Sequence, residues 1–381
     1  MPARTESGAV RLVIFSALGS LPLHLAAVMV FAGTADGMGE TTPGLLTSAI
    51  LIGLFGSCLV QAVGPPQGFF FSNRLGLLVG CQVGLLLIAP LLPDVVGAIA
   101  WFAIGWISGV YMYQGMVVAA NAANKYLGFL ARVVFAMFLS GIIAVGVCHM
   151  PRLSNYASAC VLYAIVVATV YMLTRPEVLS SVMSAEIASD LEADRPALSI
   201  GTLAAQLLPV VLFFAGSVMF ASHIAGFVGE AGDVSSMNAF GIAKIVGGLV
   251  LALTLTVSRL DSGRRLVMSA IVMVVAMAIL GPHGLLPAVF VVLGFEIALN
   301  IGGAAFMAEV ARHGQNDIKR YIPAAGLIGT AIGPITGSFL LTEGSHGLLR
   351  WLAIGTVAAG VVWLGFTFKG ARNGRKRLMA A

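Results

Sequence analysis

Charged residues are scarce in this chain. Asp, Glu, Lys and Arg make up 10% of its 381 residues, whereas an average soluble domain carries about 25%. The chain therefore lacks the polar surface that a soluble domain of this length needs. Apolar residues reach 59%, so the composition predicts an integral membrane protein.

Motifs of enzymatic chemistry are also missing from the sequence. It contains no HExxH, no GxSxG, no Walker loop and no paired carboxylates at catalytic spacing. The four cysteines stand alone in apolar stretches without CxxC spacing, so they are interpreted as small packing residues. We therefore expect neither an enzyme nor a metal site, and no cofactor. Without a nucleotide-binding motif the chain cannot be a primary pump. The net charge of +5 forms no binding face, which argues against nucleic acid.

Long apolar runs, separated by charged or Gly/Pro-rich breaks, occupy most of the chain. A spanning helix needs about 20 apolar residues, and the runs predict twelve such helices. The first run extends from Leu12 to about Ala32. It is longer than the apolar core of a signal peptide, which has about 7–15 residues, and is interpreted as an uncleaved span. The predicted spans are 9–33, 43–65, 74–92, 95–120, 128–149, 153–174, 199–225, 237–258, 266–282, 284–310, 322–341 and 348–368.

Basic residues are distributed unevenly between the two sides of these twelve spans. Eighteen of the 21 Lys and Arg, Arg132 among them, fall on the side of the N-terminus. Only Arg152 and Arg350 fall on the other side, and Lys244 lies within a span. By the positive-inside rule both termini are predicted to be cytoplasmic, in a membrane of the bacterial inner type. The basic tail is interpreted as a topology determinant beside anionic lipid.

The longest polar stretch divides the predicted helices into two groups of six. We expect an N-terminal six-helix bundle over 1–174, a cytoplasmic linker over 175–198, and a C-terminal bundle over 199–368. A basic cytoplasmic tail follows at 369–381.

Several local motifs accompany this six-plus-six arrangement. Residues 72–77 (SNRLGL) keep the Arg and Gly of a G-x-x-x-D-R-x-G-R loop, and 258–265 (SRLDSGRR) are similar in composition. Residues 111–115 (YMYQG) are similar to an R-x-x-Q-G pattern, with Tyr in place of the Arg. Residues 329–337 contain G-x-x-x-G-P-x-x-G, which serves either close packing or a bend that assists rocking. Together these features resemble the major facilitator superfamily over nearly the whole chain. The resemblance implies an all-α membrane protein with 12 transmembrane helices in two pseudo-symmetric six-helix bundles, working as a monomer.

A few polar residues lie deep within the predicted spans. An ionisable group at this depth costs about 2.5–3.5 kcal/mol on insertion scales, so it is a candidate for function. The resemblance implies that helices 1, 4, 7 and 10 line a central cavity, and most of the deep polar residues belong to those helices. The predicted substrate-binding residues are His24, Tyr111, Gln114, Gln206, Lys244 and Asn300.

Two of the deep charges have more than one interpretation. Glu296 carries a coupling proton and Lys244 binds an anionic group of the substrate, or the two form a structural ion pair. His24 is either a hydrogen-bonded packing residue or a proton carrier, and Gln114 and Gln206 either bind substrate or bridge helices. Four residues are interpreted as gating contacts: Arg74, Asp261, Glu309 and Arg312.

The sequence thus predicts a secondary active transporter that works by alternating access. Its expected substrate is a small organic solute with an anionic or zwitterionic group, and its expected coupling ion is the proton. One alternative is proton-driven efflux of lipophilic drugs or metabolites. Another, from a different class, is a membrane sensor or scaffold that transports nothing.

Overall fold

A computed structural model of the chain shows an almost entirely helical protein. It describes residues 2–38, 41–63, 75–121, 125–150, 152–174, 200–222, 234–257, 261–280, 285–313, 318, 321–342 and 346–378. The linker predicted at 175–198 and the loop residue Arg74 lie outside these ranges.

Twelve α-helices account for nearly all of the described residues, and each corresponds to one predicted span. A 3-10 turn at Ala89–Leu91 extends the third helix. Two helices are longer than the apolar runs inside them, because the first starts at Pro2 and the last continues to Leu378. The helices are α1 (Pro2–Ala35), α2 (Thr41–Val63), α3 (Leu75–Ile88), α4 (Asp94–Asn121), α5 (Lys125–Val147), α6 (Asn155–Thr174), α7 (Ile200–Ser222), α8 (Val234–Val257), α9 (Ser262–Ile279), α10 (Leu285–His313), α11 (Ile322–Thr342) and α12 (His346–Leu378).

The apolar character of the helices fits a multi-pass membrane protein. Within the described residues, eight helices are long and apolar enough to cross a membrane. Four others hold shorter apolar segments, at Ile14–Leu25, Leu75–Leu91, Gly241–Thr254 and Ile322–Gly333. The number of helices agrees with the twelve predicted, although only eight of those described reach the length of a span, and the cytoplasmic placement of the termini stays a prediction.

The helices cluster into two compact units. The first comprises Met1–Ala122, Leu127–Pro196 and Gly229–Val257, and so contains α1 to α6 together with α8. The second comprises Ala123–Tyr126, Ala197–Val228 and Ser258–Ala381, with α7 and α9 to α12. The division into two bundles by sequence order stays a prediction, and the clustering assigns α8 differently from it.

Glycine permits the contact that groups α8 with the first unit. A Cβ atom at Gly141 of α5 would lie 2.8 Å from the carbonyl oxygen of Gly241 in α8. A Cβ at Gly241 would in turn lie 2.9 Å from the Cβ of Ala144. Small residues let membrane helices approach until their backbones touch, so α5 and α8 pack closely.

The glycine motif of α11 also packs against a neighbouring helix, within the second unit. A Cβ at Gly333 would meet the carbonyl oxygen of Ala215 in α7 at 2.6 Å, and a Cβ at Gly329 would meet that of Val211. The helix continues past this motif to Thr342. The packing interpretation therefore accounts for both glycines.

Candidate functional site

Three basic side chains lie on neighbouring helices of the first unit. His24 lies in α1 and is partly buried, and Lys244 lies near the middle of α8 with 3% of its surface exposed. Arg132, in α5, also has only 3% of its surface exposed. The helix of Lys244, α8, contacts both α1, which carries His24, and α5, which carries Arg132. Helices from both halves of the sequence thus contribute to one basic cluster, which we define as His24, Arg132 and Lys244.

The structure shows that Arg132 is buried, which its sequence-based interpretation did not include. The residue was assigned to the basic inner side of the membrane, near the end of a span. In the structure it lies about two turns inside the start of α5, and its Nε and Nη1 atoms have no hydrogen-bond partner among the described residues. The distribution of charges between loops did not reveal this burial, because Arg132 stands close to a predicted helix boundary.

The predicted binding residues of α4 are buried in the first unit. Tyr111 is fully buried, its ring centroid lies 4.8 Å from that of Phe15 in α1, and its hydroxyl has no partner in the described part of the chain. Gln114 is also buried. Gly115 packs directly against Ser16 of α1. This contact fixes the positions of Tyr111 and Gln114 along the axis of α1.

A polar network that the sequence analysis missed connects α3, α4 and α6. The Gln82 amide donates to the Ser108 hydroxyl at 3.0 Å and to the Tyr163 hydroxyl at 3.2 Å. The two hydroxyls are 3.4 Å apart, and all three residues are buried. Gln82 stands in an otherwise apolar run. Because polar residues are rare in such a run, its presence alone could have marked it as a candidate.

The second unit contains the other predicted binding residues and the predicted proton carrier. Glu296 lies near the middle of α10 and is partly buried. Asn300 follows one turn later, and its side-chain amide donates to the backbone carbonyl oxygen of Glu296 at 2.8 Å. Gln206 of α7 is partly buried, and its Oε1 atom has no partner in the described ranges. Lys244 and Glu296 belong to different units, and their pairing stays a prediction.

Three of the four predicted gating residues meet where α9 begins and α10 ends. Glu309 accepts a hydrogen bond from the Ser262 hydroxyl. Arg312 Nη1 lies 3.4 Å from Asp261 Oδ1 and 4.0 Å from Glu309 Oε1. The Glu309 side chain is 13% exposed, whereas those of Arg312 and Asp261 are 60% and 63% exposed. The fourth residue, Arg74, lies outside the described residues.

A small cavity in the first unit does not involve the predicted site. Its lining is largely apolar and includes Pro22, Leu25, Met29, Ile50 and Trp101. In the part of the chain that the structure describes, no group of three or more His, Cys, Asp or Glu comes together to hold a metal ion. The basic cluster and the partly buried Glu296 are therefore the chemically distinctive features.

Two solved structures are similar to this chain along nearly its whole length. The E. coli fucose:proton symporter shares 12% sequence identity with a TM-score of 0.54, covering 94% of this chain and 98% of that one. A major facilitator proton:xylose symporter bound to 6-bromo-6-deoxy-D-glucose shares 12% identity with a TM-score of 0.61, covering 95% and 94%. No family model and no curated protein matches the sequence. The chain therefore has the major facilitator fold, and the predicted all-α architecture is confirmed.

Proposed function

We propose that this protein is a secondary active transporter that moves a small organic solute by alternating access. The observation that carries the proposal is the major facilitator fold over about 95% of the chain, with ionisable groups deep in its apolar helices. Burying such groups is costly, so they are rare in membrane helices unless they serve transport or pair with one another. Both similar structures are named as proton symporters, which supports a proton-coupled mechanism here.

The solute that fits these residues carries an anionic or zwitterionic group. Lys244 is almost completely buried near the middle of α8, where an ammonium group attracts a carboxylate or phosphate more strongly than it does in water. His24, Tyr111 and Gln114 supply polar groups in the same unit, while Gln206 and Asn300 do so in the other.

Glu296 is the proposed proton carrier. It lies on the apolar helix α10, far from either end, and a carboxyl group can take up and release a proton. Alternating exposure of this helix to the two sides of the membrane then carries the proton across. Asp261, Glu309 and Arg312 are the proposed gate at the cytoplasmic side, because a cluster of weak ionic contacts can break and re-form at low cost. Arg74 stays a gating residue by prediction alone.

Reconstitution into proteoliposomes tests this function. A panel of radiolabelled organic acids and sugars is offered with and without an inward proton gradient, and uptake is compared with that of empty vesicles. We expect at least one solute to accumulate when the gradient is present. The Glu296→Gln variant should lose this accumulation but keep the exchange of labelled for unlabelled solute, because exchange needs no net proton movement.

A second carboxylate variant provides the control. Glu309→Gln removes a gate contact, so it should change the rates of exchange and gradient-driven uptake by the same factor. Wild-type vesicles that accumulate no solute from the panel would contradict the transporter assignment. Full accumulation by Glu296→Gln would remove Glu296 from the coupling step and leave the transporter assignment in place.

A further inference from the structure

Arg132 is a buried cation that forms no ion pair with any residue that the structure describes. Its side chain is 3% exposed, and its Nε and Nη1 atoms find no hydrogen-bond acceptor among the described residues. An arginine stays charged at any physiological pH and always presents donors. Burial of such a group without a partner costs several kcal/mol in real proteins, so a residue of this kind needs a reason to be kept.

The helices of the first unit contain almost no acidic residue that could balance this charge. No Asp or Glu occurs in α2, α3, α5, α6 or α8. The exceptions lie at helix ends, where Glu6 is in the first turns of α1 and Asp94 is the first residue of α4. Asp36 follows α1, and its carboxylate accepts hydrogen bonds from the start of α6. The described helices of the unit therefore carry basic residues in their interior and acidic residues only at their ends.

The location of Arg132 connects it to the other members of the basic cluster. α5 and α8 pack backbone to backbone at Gly141 and Gly241, which brings the helix of Arg132 beside the helix of Lys244. α8 also contacts α1, which carries His24. Three adjacent helices of the unit thus each carry a basic residue.

We propose that Arg132 binds the carboxylate or phosphate group of the transported solute, with His24 as an additional hydrogen-bonding group. The inference rests on the proposed transport function and narrows its substrate to organic anions. A guanidinium group matches carboxylate and phosphate geometry and loses less hydration than an ammonium group on burial. The anion supplies the negative charge that the helices lack, and the cost of burying Arg132 is offset when the solute is bound.

Thermal unfolding of the purified full-length protein in detergent tests the proposal. The probes are inorganic phosphate, succinate and citrate at constant ionic strength, with glucose, xylose and glycerol as neutral solutes. We expect a saturable rise in melting temperature with at least one anion. Arg132→Gln should weaken its binding by about tenfold or more, the usual loss for a hydrogen bond to a charged group. The affinity of Arg132→Lys should lie between those of wild type and Arg132→Gln. His24→Gln should weaken binding less than Arg132→Gln does.

A matched charge control and a stability readout separate binding from a structural role. Arg152→Gln removes one exposed positive charge and should leave the affinity unchanged. Without ligand, Arg132→Gln should unfold at the same temperature as wild type or higher, because it removes a buried charge. A lower melting temperature with unchanged anion affinity would make Arg132 a structural residue and overturn the proposal.

The remaining outcomes distinguish this inference from the proposed function. The inference would be overturned if every anion shifted the melting temperatures of wild type and Arg132→Gln equally, or shifted neither. If both proteins also accumulated a neutral solute in proteoliposomes, the transporter assignment would stand without the anion site. Anion binding that is lost in Arg132→Gln, in a protein that moves no solute, would support the site and reject transport.

Discussion

The carboxylate of Asp36, just after the first helix, accepts a hydrogen bond of 2.7 Å from the backbone N–H of Tyr156 at the start of α6. Its other oxygen accepts from both the backbone and the side-chain nitrogen of Asn155 at 2.9 Å. The first N–H groups of a helix have no partner within it, and here a residue about 120 positions earlier in the chain supplies one. The Tyr156 hydroxyl in turn accepts from Trp101 Nε1 at 2.6 Å, so Asp36 connects α1, α6 and α4.

Loss of this carboxylate should destabilise the protein measurably. Removing a helix N-cap costs about 0.5–2 kcal/mol, and Asp36→Ala should fall at the upper end because three hydrogen bonds to a charged group disappear. Asp36→Asn keeps one acceptor oxygen and should lose less. The measurement is the unfolding midpoint of the full chain in detergent. A midpoint for Asp36→Ala equal to that of wild type would show that the end of α1 does not hold α6.

The network of Gln82 and Tyr163 should appear as an energetic coupling between α3 and α6. Polar contacts between membrane helices contribute about 0.6 kcal/mol on average and at most about 1.7 kcal/mol. Gln82→Leu and Tyr163→Phe should each destabilise, and the double variant should lose less than the sum of the two. The control cycle combines Gln82→Leu with Tyr156→Phe, whose hydroxyl bonds Trp101 instead. That pair should be additive, and coupling of equal size in both cycles would contradict the specific network.

The number and type of the helices could be predicted from the sequence because membrane helices satisfy their own backbone hydrogen bonds. A long apolar run leaves the chain with few alternatives inside a bilayer, and each predicted span corresponds to a helix. The ends were harder to predict. α12 continues to Leu378, while the apolar pattern stops near 368.

Side-chain partners could not be predicted, because a single sequence does not say which helices meet. The hydrogen bond from the Asn300 amide to the Glu296 carbonyl oxygen in its own helix was not predicted, and the substrate-binding role of Asn300 stays a prediction. Arg132 was assigned to a membrane surface because of its neighbours in sequence, and only packing reveals its burial. Arg350, counted on the outer side, donates at 3.2 Å to the carbonyl oxygen of Ala278 at the end of α9.

The contact between α5 and α8 gives the last prediction, a substitution of one glycine by alanine. A Cβ at Gly141 would lie 2.8 Å from the Gly241 carbonyl oxygen and 3.0 Å from the Ile245 nitrogen. These are backbone atoms, so no rotamer change can relieve the clash and the helices must separate. Gly141→Ala should therefore destabilise by about 1–3 kcal/mol, as overpacking does.

The matched control for this prediction is Gly84→Ala in α3. Nothing lies within 4 Å of a Cβ at Gly84, and alanine favours a helix by about 0.5–1 kcal/mol over glycine. The unfolding midpoint of Gly84→Ala in detergent should thus equal or exceed that of wild type, while that of Gly141→Ala falls. Because both variants add the same methyl group to a helix interior, their difference measures packing alone. Equal midpoints would mean that α5 and α8 have room for a methyl group between them, and the close contact that groups α8 with the first unit would be wrong.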